Sequence, residues 1–228
     1  MFPKLFLFIS KPLLVGGAES NIPRRVIFSE NPFIKKNKNK TNFFYLKIEK
    51  LYCKEDKFLN VIEAITYRKS VRHYLDKTVE SKKILEIMKA ARLAPSAFNK
   101  QRARFIIVRD GQTKKRLIEN AKIPNFVAKA PVIIVACAKT DSCTMHYGQP
   151  CYPIDVAIAL DHITLAAVEY GLGSCWISVY DEKKVQEILQ IPKEIRVISL
   201  MIVGYSADVS SITKKRLPID EIVKYEKW

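Results

Sequence analysis

The chain has 228 residues, 48% of them hydrophobic and 27% charged, with a formal net charge of +16. That is an ordinary globular balance able to fill a sizeable core, and only seven glycines argue against a loop-rich or fibrous chain. The basic excess favours anionic partners without choosing among nucleic acid, membrane surface and phosphorylated small molecules.

Residues 1–58 carry a net charge of +7 and residues 59–228 a net of +9, so the excess is densest in the first quarter. The opening apolar stretch is interrupted by Lys11 and Pro12 and falls short of the roughly 18 residues of a transmembrane helix. Its Lys4 and the Gly17–Ala18 pair also fit a signal peptide. "FIKKNKNKTNFF" is low-complexity Lys/Asn, and no period links residues 1–58 into a unit. The expectation is a basic appendage over 1–58, arising from an early translation start, and one domain over 59–228.

From Leu59 the pattern is regular. "FLNVIEAITYR" places Val61, Ile62 and Ile65 at helical spacing, and "KSVRHYL" reads as extended. "ESKKILEIMKAARLA" predicts an amphipathic helix with Ser81 as N-cap and Ile84, Leu85, Met88 and Ala91 on one face. It stops before Pro95, because the residue preceding proline disfavours helix. "RFIIVRD" and "PVIIVACA" read as buried strands around a short helix, "TKKRLIENA". "PIDVAIALDHITLAAVEYGLG" is the most apolar helix, with Asp155 in the first turn and Gly171 and Gly173 at its stop. Its apolar residues run around most of the circumference, which predicts burial on several sides, an intersubunit contact being one route. "SCWISVY" (strand), "DEKKVQEILQI" (helix) and "IRVISLMIVGY" (strand) complete an α+β domain, a sheet flanked by helices.

The chemistry-bearing candidates are few. In extended backbone Arg68, Ser70 and Arg72 share one side, and two guanidiniums with a hydroxyl suit a phosphate. The same pattern also fits a solvated strand edge. Lys214, Lys215 and Arg216 form a second basic cluster able to approach the same anion. "GLGSCWIS" lets backbone come close to something, or merely caps a helix before a core strand. Cys143, His146 and Cys151 match no familiar zinc spacing, and free thiols in a reducing compartment are the simpler account. Cys137 and Cys175 read as small buried hydrophobes, and His162 as a satisfied, partly buried residue. No Ser/His/Asp set, G-x-S-x-G or Walker loop is present, so the hard chemistry of an enzyme here belongs to a cofactor.

Taken in order, "RKSVR", "AARLAPSAFNKQ", "LAAVEYGLGSCWI", "LMIVGY" and "KKRLPIDEIV" resemble the FMN-dependent nitroreductase family, from about Val61 to the C-terminus. The resemblance implies a central, mostly antiparallel sheet flanked by helices in an intertwined homodimer, with FMN at the subunit interface. It implies that Arg68, Ser70 and Arg72 hold the phosphate and ribityl end, helped by Lys214 and Arg216. Pro95, Ser96, Ala97 and Asn99 would reach the cofactor from the partner subunit, and Cys175, Trp176, Ile177 and Ser178 would run beside the ring. The implied reaction passes hydride from NAD(P)H through the flavin to a nitroaromatic, quinone or similar acceptor, in the cytoplasm, with no catalytic side chain and no metal. Within the fold, dehalogenation and flavin fragmentation are rivals; outside it, a flavoprotein without turnover, serving as storage or sensor, and a basic nucleic-acid-binding protein, which lacks any recognised motif. Two departures stand out: Gln101-Arg102-Ala103 replaces a frequent Gln-Pro-Trp, and Ser178 replaces a glycine. Arg102 and Arg104 are therefore expected to favour acidic acceptors or nicotinamide phosphates.

Overall fold

A computed structural model describes residues 58–208 and 214–228. The expected basic appendage, but for Phe58, and Cys53 lie outside the described residues.

Four strands form one antiparallel sheet: β1 (Ala103–Val108), β2 (Val132–Lys139), β3 (Gly173–Ile177) and β4 (Ile195–Gly204), in the order β1-β2-β4-β3. Side chains alternate across the pleat, so β2 sends Ile133, Val135 and Cys137 to one face and Val132, Ile134, Ala136 and Ala138 to the other. The first face is covered by α3 (Gly111–Asn120) and α5 (Glu182–Leu189), through Leu117 and Val185. The second is covered by α2 (Ser81–Arg92) and α4 (Tyr152–Glu169), through Ile84, Ile87, Leu160 and Ile163. Burial on both faces explains the unbroken apolar runs. Where the β2–β4 register shifts between Ala136 and Cys137, Val197 and Leu200 fall on the same face although they are three apart.

The helix α1 (Val61–Tyr67) begins with a capping box, Asn60 Oδ1 accepting from the Glu63 amide while Glu63 accepts from the Asn60 amide. Its apolar stripe is not in the core: Val61 and Ile62 are more than two-thirds exposed and only Ala64 is buried. The helix α2 also differs from expectation. Its N-cap position is Glu80, without a side-chain cap bond, and Ser81 Oγ instead accepts from Arg109. Ile87 joins Ile84 and Ala91 in the buried stripe while Leu85 is exposed, because the sheet and α4 lie on the side that Ile87 faces.

Along α4 only Asp161 is exposed, which fits the expected burial on several sides. Gly171 stops this helix with φ +70°, a conformation that costs other residues strain. A short helix, α6 (Ile219–Ile222), is the last element, and Leu217, Ile219, Ile222 and Trp228 in and around it are exposed. No helix among the described residues is long and apolar enough to cross a membrane.

Candidate functional site

Residues 70–71 pair with the outer edge of β3, and residues 74–75 with Tyr205 and Ser206 just beyond β4. Ser70 and Ser174 form a parallel bridge, and the Val71 amide donates to the Ser174 carbonyl at 2.9 Å. Val71 is buried beneath it, and the Tyr74 hydroxyl donates to the Val71 carbonyl at 2.8 Å. Gly173 makes this docking possible: a Cβ there would sit 2.5 Å from Val71 Cγ2. The glycine that the sequence marked as a close approach is thus approached by the basic segment itself.

With Val71 turned inward, Arg68 is brought beside Lys214 and Arg216. These three cations, with Ile65 and Thr66, line an open cavity of about 390 Å³. Lys214 Nζ donates to the Ile65 carbonyl at 2.6 Å, which ties the C-terminal segment to the end of α1. Burial, then the charges of Arg68 and Arg216, hold the Lys214 ammonium below its ordinary pKa. Among the described residues none of Arg68, Arg72, Lys214 and Arg216 forms a salt bridge. A pocket of crowded cations lacking carboxylate partners gains by taking up an anion, as a phosphate monoester would be.

Ser70 and Arg72 do not line that cavity. They lie by Cys175, whose thiol burial raises while the Arg72 charge and a Ser70 hydrogen bond pull it back. In β3 the side chains of Cys175 and Ile177 are buried, whereas Trp176 and, just past the strand, Ser178 are exposed. Any group lying along this strand on the exposed side meets Trp176, Ser178 and backbone.

The segment 94–101 is a separate construction. Phe98, Asn99 and Gln101 all have φ near +50°, which non-glycine residues adopt rarely and at a cost. The loop is over-determined by its bonds. The Gln101 amide donates to Ser96 Oγ at 2.8 Å, the Asn99 amide to the Ser96 carbonyl, and the Ala97 amide to Asp155 Oδ1 at 2.9 Å. Asp155 is buried in the first turn of α4 and also accepts from Arg102 Nη1 at 2.7 Å; Arg102 Nε donates to Asp141 Oδ2 at 2.9 Å.

Arg102 is therefore committed to two carboxylates rather than presented to solvent, contrary to the expectation from sequence, and only its Nη2 is left without a partner among the described residues. It is 3% exposed because both of its carboxylate partners hold it against the loop. Burial works against its charge, but the bonds from Asp141 and Asp155 prevail and raise its pKa. Arg104 remains exposed and donates to the Gln101 and Ala103 carbonyls. The sequence reading missed the Asp141–Arg102–Asp155 anchor; its one signal was an arginine just before a β-branched strand, with an aspartate opening the most apolar helix.

Pro95 and Ser96 line a second cavity of about 190 Å³, with Met88, Arg92, Gln101 and Arg104 on its wall. No residue is common to the two cavities. Within one chain the structure thus joins Arg68 to Lys214 and Arg216 but leaves Pro95, Ser96, Ala97 and Asn99 apart from them. Cys143, His146 and Cys151 form no metal cluster, none of three or more ligand-type residues being found among the described residues. His162 is partly buried, with Nδ1 3.3 Å from the Ala90 carbonyl.

The model of the Nitroreductase family matches residues 65–126 and 119–205. A protein of Archaeoglobus fulgidus named "Putative NADH dehydrogenase/NAD(P)H nitroreductase" is 35% identical over 73% of this chain and 98% of its own. An NAD(P)H FMN reductase of Bacillus subtilis is 29% identical over 74% of each chain. Among solved structures, a nitroreductase family protein from Clostridium difficile 630 superposes with a TM-score of 0.66 at 30% identity, over 75% of this chain and all of that one.

Proposed function

Since this chain belongs to the nitroreductase family, we propose that it is an FMN-dependent oxidoreductase using NAD(P)H to reduce a nitroaromatic, quinone or similar small acceptor. The chemistry FMN supplies when bound is hydride relay from the nicotinamide to that acceptor. The observation that carries the reading is the cavity where Arg68, Lys214 and Arg216 converge without a carboxylate partner among the described residues. That donor set fits a phosphate monoester, the one dianionic group of FMN.

The chain's own residues have distinct tasks. Arg68, Lys214 and Arg216 bind the phosphate, and Ser70 and Arg72, further along the segment that carries Arg68 and beside Cys175, hold the ribityl end. Cys175, Trp176, Ile177 and Ser178 border the ring, the first and third through backbone because their side chains are in the core. Pro95, Ser96, Ala97 and Asn99 close the site from a second copy of the chain. Their separation from the cationic cavity within one chain supports that arrangement. So do the apolar residues left exposed on α1 and at the C-terminus, Val61, Ile62, Ile219 and Trp228 among them, which a homodimer would cover. No side chain acts as acid or base, and positioning with electrostatic support is the protein's contribution. The free thiols Cys137, Cys143, Cys151 and Cys175 support a reducing, cytoplasmic setting.

The test is optical. Purified protein is expected to be yellow, to bleach with NAD(P)H without air, and to recover its colour with a quinone or nitroaromatic. Colour without bleaching would reduce the protein to flavin storage. Colourless protein with salt-sensitive DNA binding would replace the proposal with the nucleic-acid reading.

A further inference from the structure

Cys143 and Cys151 are chemistry-bearing side chains that the flavin reading does not use. Their sulfurs are 3.4 Å apart, and both thiols are free. They flank a tight hairpin in which Thr144 bridges Pro150 antiparallel, so Cys143 and Cys151 stand opposite each other in the same register, joined by the Cys151 amide donating to the Cys143 carbonyl at 3.1 Å. Residues directly opposite each other in an antiparallel pair have Cα atoms about 4.5–5.5 Å apart. That lies inside the ~4.4–6.8 Å window of disulfide-bridged residues. Closing the bond brings the sulfurs from 3.4 Å to about 2.05 Å.

The pair is also wired to the strained loop. The Cys143 amide donates to Asp141 Oδ1 at 3.1 Å, and Asp141 Oδ2 accepts from Arg102. Arg102 bonds Asp155, whose amide donates to the Cys151 carbonyl at 3.1 Å. The circuit closes through the two sulfurs, and its branch is the Asp155 bond to the Ala97 amide. We propose that Cys143 and Cys151 are a reversible dithiol–disulfide site that exchanges with low-molecular-weight disulfides and sets how firmly the 94–101 loop is anchored.

The exchange balances as follows. Cys143, the more exposed of the two, attacks as thiolate one sulfur of a small disulfide, forming a mixed disulfide and expelling one thiolate. Cys151 then loses its proton and attacks the Cys143 sulfur, forming the internal bond and expelling the second thiolate. Two protein thiols are oxidised and one small disulfide is reduced to two thiols. The hydrogen bond between the sulfurs, followed by burial, raises the Cys151 thiol above its ordinary value, which assigns it the second step. The small disulfide is the oxidant, so no flavin is required.

The experiment equilibrates the full-length protein in oxidised and reduced glutathione at a series of ratios, then alkylates free thiols and weighs the protein. At the oxidising end the wild type is expected to lose two hydrogens and two alkylation sites, with the link mapped to Cys143–Cys151 and reversed by dithiothreitol. Cys143→Ser and, separately, Cys151→Ser are expected to abolish the internal link and leave a glutathione adduct at most. Full alkylation of both thiols at the oxidising end, a link to another cysteine, or glutathione adducts alone on the wild type would overturn the proposal. For the coupling, amide hydrogen exchange at Ala97 is expected to differ severalfold between reduced and oxidised wild type. Equal rates would overturn that part of it. Both readouts work on protein without bound flavin, so failure here is separable from failure of the proposed enzyme activity.

Discussion

Arg102 Nη1 and Asp155 Oδ2 meet at 2.7 Å with both side chains almost wholly buried, at 3% and 5% exposure. The pair joins the first turn of the most apolar helix to the start of β1. It does so beside the loop in which Phe98, Asn99 and Gln101 hold unfavourable positive φ. An ion pair so placed adds little net stability compared with apolar packing, but breaking one half of it is costly.

Arg102→Met is accordingly expected to destabilise the fold by about 3–5 kcal/mol, because Asp155 is left buried without its partner. Equilibrium urea unfolding measures it. Adding Asp155→Leu to the same protein is expected to recover much of the loss. A single variant within 1 kcal/mol of wild type would show that water reaches Asp155 freely.

The cationic cavity gives a binding prediction. Removing a charge-assisted bond by Arg68→Ala, Lys214→Ala or Arg216→Ala is expected to cost about 1.5–3 kcal/mol each. That corresponds to roughly 10–150-fold weaker FMN binding by fluorescence titration. Riboflavin, which lacks the phosphate, is expected to bind wild type and variants alike. Equal losses for both ligands would place the phosphate elsewhere.

Gly173→Ala tests the seat of the basic segment. Its new Cβ collides with Val71, and overpacking of this kind costs about 1–3 kcal/mol. The thermal midpoint is expected to fall, and FMN affinity with it, since Ser70 to Arg72 are displaced from β3. Val71→Ala in the same chain is expected to restore part of both.

The Asp141 link gives a pH dependence. Burial opposes ionisation of Asp141, but the Arg102 bond, then the Cys143 amide, outweigh it and hold the carboxyl below its ordinary pKa. The stabilisation is therefore complete above the unfolded value of about 3.9 and is lost as pH falls through the lower folded value. Chymotryptic or hydrogen-exchange probing of 141–151 is expected to show loosening only below that ordinary range. Asp141→Asn is expected to be loosened at neutral pH already.

The exposed apolar residues at the chain's end predict the oligomer. Ile219 and Ile222 stand on the four-residue α6 with most of their surface open. The double change Ile219→Glu, Ile222→Glu is expected to convert a dimer into monomer by sedimentation and to release FMN. Dimer retained at micromolar concentration would move the interface away from this segment.

The sequence by itself determined the strands and helices, the neutral loop between α2 and β1, and the two basic clusters, because hydrophobic period, proline and charge act over a few neighbouring residues. "VIIVACA" reads as a strand buried on both faces, and "KSVRHYL" as extended backbone. What only the tertiary structure decided is which distant residues share a space. Arg68 and Lys214 meet because Gly173 lets one segment press against β3 and a lysine reaches the end of α1. Arg102, an acceptor-facing residue on local reading, is taken inward by two carboxylates that lie 39 and 53 positions away. The apolar stripe of α1 was legible as a stripe, yet nothing local says whether its cover comes from the same chain. Period and propensity are properties of neighbours, whereas charge pairing and burial belong to whatever the folded chain brings within a few ångströms.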